Sequence, residues 1–257
     1  MDDFRFITWK AEGATATVWL DRPPVNAVNG EMYDEIKSFF GNIRHYLPKA
    51  RAVVLTGAGR HFCGGNDLAE FQTMDPSNAA KRMKAVREAF WAIYDNPIPV
   101  IAAVHGVAVG TGLAIAASCD LVVAAEGSRF ALPEVNVGVM GGAKHLSRLV
   151  PQGMVRFMHY TGDLIGVEKL LPYGGILEIV PAEELLNSAQ AVARSISRHS
   201  PLTLGFAKRS LNTIEFMDLK SGYEFEQGLT CELSGYSDSK EAVNAVVDGR
   251  TPVYSGR

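Results

Sequence analysis

What is scarce in this 257-residue chain narrows its chemistry first. Only three cysteines occur, Cys63, Cys119 and Cys231; the odd count and the lack of Cys-x-x-Cys spacing support neither a disulfide framework nor a zinc ribbon. Six histidines are scattered without ligand spacing, so no metal site is expected. The net charge is only −3 and the basic residues are dispersed, which argues against nucleic acid as a partner. The longest apolar run, roughly residues 97–104, is too short to cross a bilayer, so no membrane partner is expected either. The opening MDDFRFITWK lacks a basic region followed by an apolar stretch, and a cytoplasmic protein is expected.

Hydrophobic residues make up 47% of the chain and charged residues 21%, an ordinary globular balance with length enough for a substantial core. Strands are predicted over residues 14–20, 51–56, 99–104, 120–125 and 129–132. Helices are predicted between them over 30–47, 77–95 and 112–118. Strand and helix alternate to about residue 132, the pattern of a parallel sheet with helical crossovers. After residue 142 helices dominate, over 142–161, 166–171, 182–198, 201–217, 219–234 and 239–248, with one strand-like piece at 176–180. The expected division is an α/β core over 1–190 and a helical lobe over 191–257.

Two glycine-rich loops each follow a predicted strand, where ligands bind in α/β sheets. One contains Cys63-Gly64-Gly65-Asn66-Asp67-Leu68; the other runs from His105 to Gly112 and opens a helix. Glycine lets main-chain amides approach a ligand closely, and a helix start adds unpaired N–H groups. Two such loops facing one another would place two donors around one oxygen. Neither loop carries the Gly-x-Gly-x-x-Gly fingerprint or the Gly-Lys-Ser/Thr ending of nucleotide sites.

The ordered segments TGAG–FCGGNDL, NPIPVIAAVHG–VAVGTGL–CDLVVAA and FALPEVNVG, with DRPPVNAV near the start and RTPVYSGR at the end, closely resemble the crotonase (enoyl-CoA hydratase/isomerase) superfamily. The resemblance spans essentially the whole chain. It implies an α/β spiral of ββα units with a C-terminal helical lobe that packs into homotrimers or dimers of trimers. It also implies an acyl-CoA thioester substrate and no separate cofactor, CoA being part of the substrate. The amides of Asn66 and Thr111 would form the oxyanion hole; Thr111 departs from the glycine usual there. Val25, Ala27, Asp67, Leu68 and Gly110 would line the CoA-thioester path, and Arg250 would meet its phosphates.

Hydratases of that family place two glutamates about a water. The first position is Ala114 here; the second is Glu134, the acid/base candidate, whose apolar neighbours Leu132, Pro133 and Val135 would raise its pKa. An aspartate used by other members aligns with Val139. His145 is the second catalytic candidate, since a neutral imidazole can activate water or orient Glu134. HLSRLVPQ and EQGLTCEL are similar to a branch that hydrolytically opens rings. His105 is expected to satisfy backbone groups. Phe71, Phe90, Trp91 and Tyr94 fall where the family lines its acyl pocket, and Glu224, Glu226 and Glu232 read as a solvated helix face. The expected activity is that of a lyase or isomerase. The alternatives are hydrolytic cleavage of a β-keto thioester and a catalytically weak acyl-CoA binding protein.

Overall fold

The computed structural model describes residues 4–256. Its strands are β1 (Ile7–Glu12), β2 (Thr15–Leu20), β3 (Ala52–Gly57), β4 (Val100–Val104), β5 (Val107–Val109), β6 (Leu121–Ala125), β7 (Arg129–Ala131), β8 (Ile165–Gly166) and β9 (Glu178–Val180). The larger sheet has the order β1-β2-β3-β4-β6-β9, antiparallel only at β1–β2. The smaller sheet, β5-β7-β8, stands beside it.

Helices fill the crossovers: α1 (Gly30–Gly41), α2 (Ile43–Tyr46), α3 (Leu68–Gln72), α4 (Ala79–Asp95) and α5 (Thr111–Ser118). Then come α6 (Ala143–Leu146), α7 (Gln152–Thr161), α8 (Val167–Leu170) and α9 (Leu185–Ser197). The last three are α10 (Pro201–Ile214), α11 (Leu219–Leu233) and α12 (Ser237–Val247). This is the expected α/β fold. Among the described residues, no helix is long and apolar enough to cross a membrane.

The strand period of two decides which core each residue joins. Val53, Leu55, Val100, Ala102 and Val104 face the main core, with Met32, Ile36, Phe39 and Phe40 of α1. The alternate residues Ala52, Val54, Ile101 and Ala103 face Leu185, Ala189 and Ala193 of α9. The division expected near residue 190 therefore falls inside a helix that packs on the sheet. α9 covers the sheet face opposite the main core.

Two helix expectations are also corrected. The stretch 142–161 is interrupted at Pro151, which has no amide proton to continue a helix and stands as the N-cap of α7. The stretch 30–47 breaks at Asn42, whose side-chain amide donates to the Ser38 carbonyl at 2.9 Å. In the lobe, Ser200 caps α10 and donates to Asp238, and Asp238 accepts the Ser255 and Gly256 amides. The C-terminal tail is thus fastened to the start of α10.

Candidate active site

The segment before α1 is fixed by Asn26, which sits in the left-handed region at φ 54°. Its side-chain amide donates to the carbonyls of Ala58, His61 and Phe62, and its Oδ1 accepts the Arg22 amide. Arg22 donates to the Ala27 carbonyl at 2.8 Å and to Asp67 at 2.6 Å. The Val25 carbonyl accepts the Gly64 amide at 2.8 Å. Val25, Ala27 and Asp67 are thereby brought together, but the carbonyls of Val25 and Ala27 already have donors. Leu68 opens α3 beside them and is 61% exposed.

Main-chain bonds bring the two glycine-rich loops together. The Val28 amide donates to Gly65 and the Asp67 amide to Val28, bracketing Asn66 without using its own N–H. The Cys63 amide donates to Val107 and the Val109 amide to Cys63, joining the first loop to β5. A β-carbon at Gly112 would lie 2.3 Å from the Cys63 carbonyl oxygen, so α5 approaches this strand as only glycine permits. Thr111 is the first residue of α5, a position whose amide has no intrahelical acceptor.

One link the sequence reading missed ties these segments. Tyr33 of α1 is 4% exposed; its hydroxyl contacts Asn66 Oδ1 and lies 2.7 Å from Thr111 Oγ1. Burial pushes the phenol above its ordinary range, so it stays protonated. A tyrosine on the apolar face of a helix reads as core, and no local pattern marks partners so distant in the chain.

Glu134 lies in a 3-10 turn, Pro133–Val137. Its Oε1 is 3.0 Å from where a β-carbon on Gly110 would stand and 3.6 Å from the corresponding point on Gly142. Its Oε2 is buried and has no hydrogen-bond partner among the described residues. Burial raises its pKa from 4.5 to about 7. Of its apolar neighbours in the sequence, Leu132 is buried and Val135 is 41% exposed. Ala114 is buried in α5, and its methyl group has no proton to transfer.

His145 packs edge-on against Phe90 with ring centroids 5.1 Å apart, and Phe90 packs on Tyr33 at 6.2 Å. Burial lowers the imidazole pKa and favours its neutral form. No hydrogen bond joins His145 to Glu134 among the described residues. His105 pairs with the Gly59 carbonyl at 3.1 Å, the backbone role expected of it.

The other expected residues divide. Phe90 faces the site, whereas Tyr94 donates to the Asn212 carbonyl and to Glu215, and Trp91 is 53% exposed. Glu232 pairs with Arg209. Arg250 is held by Glu241 through two bonds, at 2.6 and 2.9 Å, and by Asp248. Its guanidinium thereby joins α12 to the start of the C-terminal tail. A cavity of about 1100 Å³ is lined by Arg44, Arg51, Lys208 and Tyr254 among others; none of Asn66, Thr111, Glu134 or His145 lines it.

A family profile described as enoyl-CoA hydratase/isomerase matches residues 10–257. A Rhodococcus jostii protein named (7aS)-7a-methyl-1,5-dioxo-2,3,5,6,7,7a-hexahydro-1H-indene-carboxyl-CoA hydrolase is 36% identical over 90% of this chain and 90% of its own length. A short-chain-enoyl-CoA hydratase of Clostridium acetobutylicum is 33% identical over 93% of each chain. The crystal structure of an enoyl-CoA hydratase from Bacillus anthracis superposes with a TM-score of 0.91 at 27% identity, covering 98% of this chain and 100% of that one.

Proposed function

The chain belongs to the enoyl-CoA hydratase/isomerase family, and from that premise we propose that it forms the enolate of an acyl-CoA thioester with Glu134 as the acid/base. The observation that carries this reading is the carboxyl itself: one oxygen buried without a partner, a pKa moved to about 7, and a position against the Gly110 turn that opens α5. A group that titrates there can both take and return a proton near neutrality.

The thioester oxygen accepts hydrogen bonds from the Asn66 and Thr111 amides. Removing one such donor costs about 3 kcal/mol of transition-state stabilisation. The Glu134 carboxylate removes a proton from the α-carbon, and the electron pair moves to the thioester oxygen. The carboxylic acid then returns the proton at the γ-carbon, which shifts the double bond. The CoA arm runs along Val25, Ala27, Asp67, Leu68 and Gly110, with exposed Leu68 as its apolar contact. No resident cofactor takes part.

A second reading is hydrolysis of a β-keto thioester. It is favoured by Ala114, which leaves a single carboxyl, and by the relative named as a hydrolase of a dioxo-indene-carboxyl-CoA. Glu134 takes a proton from water, and the hydroxide adds to the β-carbonyl. The bond between the α- and β-carbons then breaks, releasing a carboxylic acid and the held enolate. The Glu134 acid protonates that enolate at the α-carbon.

The test is turnover of crotonyl-CoA, a 3-enoyl-CoA and a cyclic β-keto acyl-CoA by the wild type and by Glu134→Gln. The expected result is poor hydration of crotonyl-CoA and turnover of one of the other two, reduced about a hundredfold or more in the variant. Tight CoA binding with no turnover would replace this reading with that of a binding protein. Fast hydration indifferent to Glu134→Gln would also overturn it.

A homotrimer or dimer of trimers is part of the proposal. Exposed Phe216, Leu219, Val246 and Val247 in the lobe support it, and light scattering tests it. The free thiols of Cys63, Cys119 and Cys231 fit a reducing compartment such as the cytoplasm.

A further inference from the structure

We propose that Tyr33 is a positioning residue for the oxyanion site, its phenol tying Asn66 to Thr111 and so setting how their two amides stand relative to each other. This rests on the enolate reading above and adds a residue to it.

The direction of the network follows from the chemistry of its atoms. Asn66 Oδ1 has only lone pairs, so the phenol donates to it. The phenol oxygen is then free to accept, and the Thr111 hydroxyl, 2.7 Å away, donates. With the Asn66 amide so oriented, proton order runs from Thr111 through Tyr33 to Asn66.

Main-chain bonds fix the flanks of each donor but not the donors themselves. Val28 grips Gly65 and Asp67 on either side of Asn66; Gly110, before Thr111, donates to the Ala131 carbonyl. Among the described residues, the phenol is the only group hydrogen-bonded to the side chains of both Asn66 and Thr111. Tyr33 is itself held firmly. Its amide donates to the Asn29 carbonyl, Asn29 caps α1, and its ring packs on Phe90. A glycine at position 111 would leave the phenol with one partner, so the threonine found there gains a purpose: its hydroxyl completes the link.

The decisive probe is acetoacetyl-CoA, whose enolate absorbs apart from its keto form and reports donor placement without turnover. In the wild type, bound acetoacetyl-CoA should ionise at lower pH than in water. In Tyr33→Phe, which keeps the ring, that ionisation should move back up by about one pH unit, a tenfold loss of enolate preference. The kcat of the reacting thioester should fall about tenfold, with KM and CoA affinity within about twofold. Thr111→Val should match Tyr33→Phe, Thr111→Ser should restore the wild-type values, and the double variant should be no worse than either single one. An equal shift of acetoacetyl-CoA in wild type and Tyr33→Phe would sink the positioning role and leave the enolate reading standing. No shift in the wild type would sink the enolate reading and this inference with it. Parallel losses of kcat, CoA affinity and melting temperature would make Tyr33 a packing residue and overturn the proposal.

Discussion

A β-carbon on Gly110 would stand 3.0 Å from Glu134 Oε1. Gly110 also holds φ 52° and ψ −112°, a backbone state that residues with a side chain rarely adopt. Gly110→Ala should therefore cost about 1–3 kcal/mol of stability. It should also lower turnover at least about tenfold by displacing the carboxyl. Thermal melts and steady-state assays check both, and full activity would show that the contact does not place Glu134.

The pH dependence of Glu134 has a definite sign. Folded, the carboxyl titrates at about 7; unfolded, near 4.5. Between those values the folded chain holds a proton that the unfolded chain has lost, so this group's contribution to stability declines as pH rises through the window. Glu134→Gln removes the decline. Its melting temperature should overtake the wild type's across that interval and stay ahead above it. Meanwhile wild-type kcat/KM should climb to a plateau above about 7, since the base is the carboxylate.

His145→Ala should impair hydrolysis of a β-keto thioester more than it weakens CoA binding, as measured by single-turnover rates and calorimetric titration. Equal losses would make the imidazole a packing group for Phe90. Because burial lowers its pKa, the folded chain resists protonating it, and the stability tied to the neutral ring disappears as pH falls below 6.5. Removing the ring should make the fold more tolerant of acid.

Lys208 offers a test of the scaffold. Its ammonium is almost wholly buried, binding the Ile93 and Ile98 carbonyls and Asp120 at 2.8 Å. Lys208→Met leaves the Asp120 carboxylate without its counter-charge, with only the Val100 amide still donating to it among the described residues, and should cost about 3 kcal/mol in urea unfolding. Loss below about 1 kcal/mol would mean that water replaces the ammonium.

Much of this was legible in the residues themselves. Continuous apolar runs such as Val53, Val54 and Leu55 announced strands covered on both faces, and each is buried. β1 was not anticipated, because it is an edge strand whose Thr8, Lys10 and Glu12 face solvent. The division near residue 190 lies within α9, whose packing on the sheet depends on neighbours that its amphipathic spacing alone does not name. At the site, Glu134 was visible through its motif. The role of Tyr33 was not, because it depends on partners that only the fold brings near.

Asn26, pinned to three carbonyls at once, has a thermodynamic consequence for ligation. A segment already stripped of its conformational choices surrenders none when a long, flexible guest settles on it. The ordering penalty then falls on the guest, and substrates pre-bent to follow this rigid rim would be held more tightly than limp ones of the same composition.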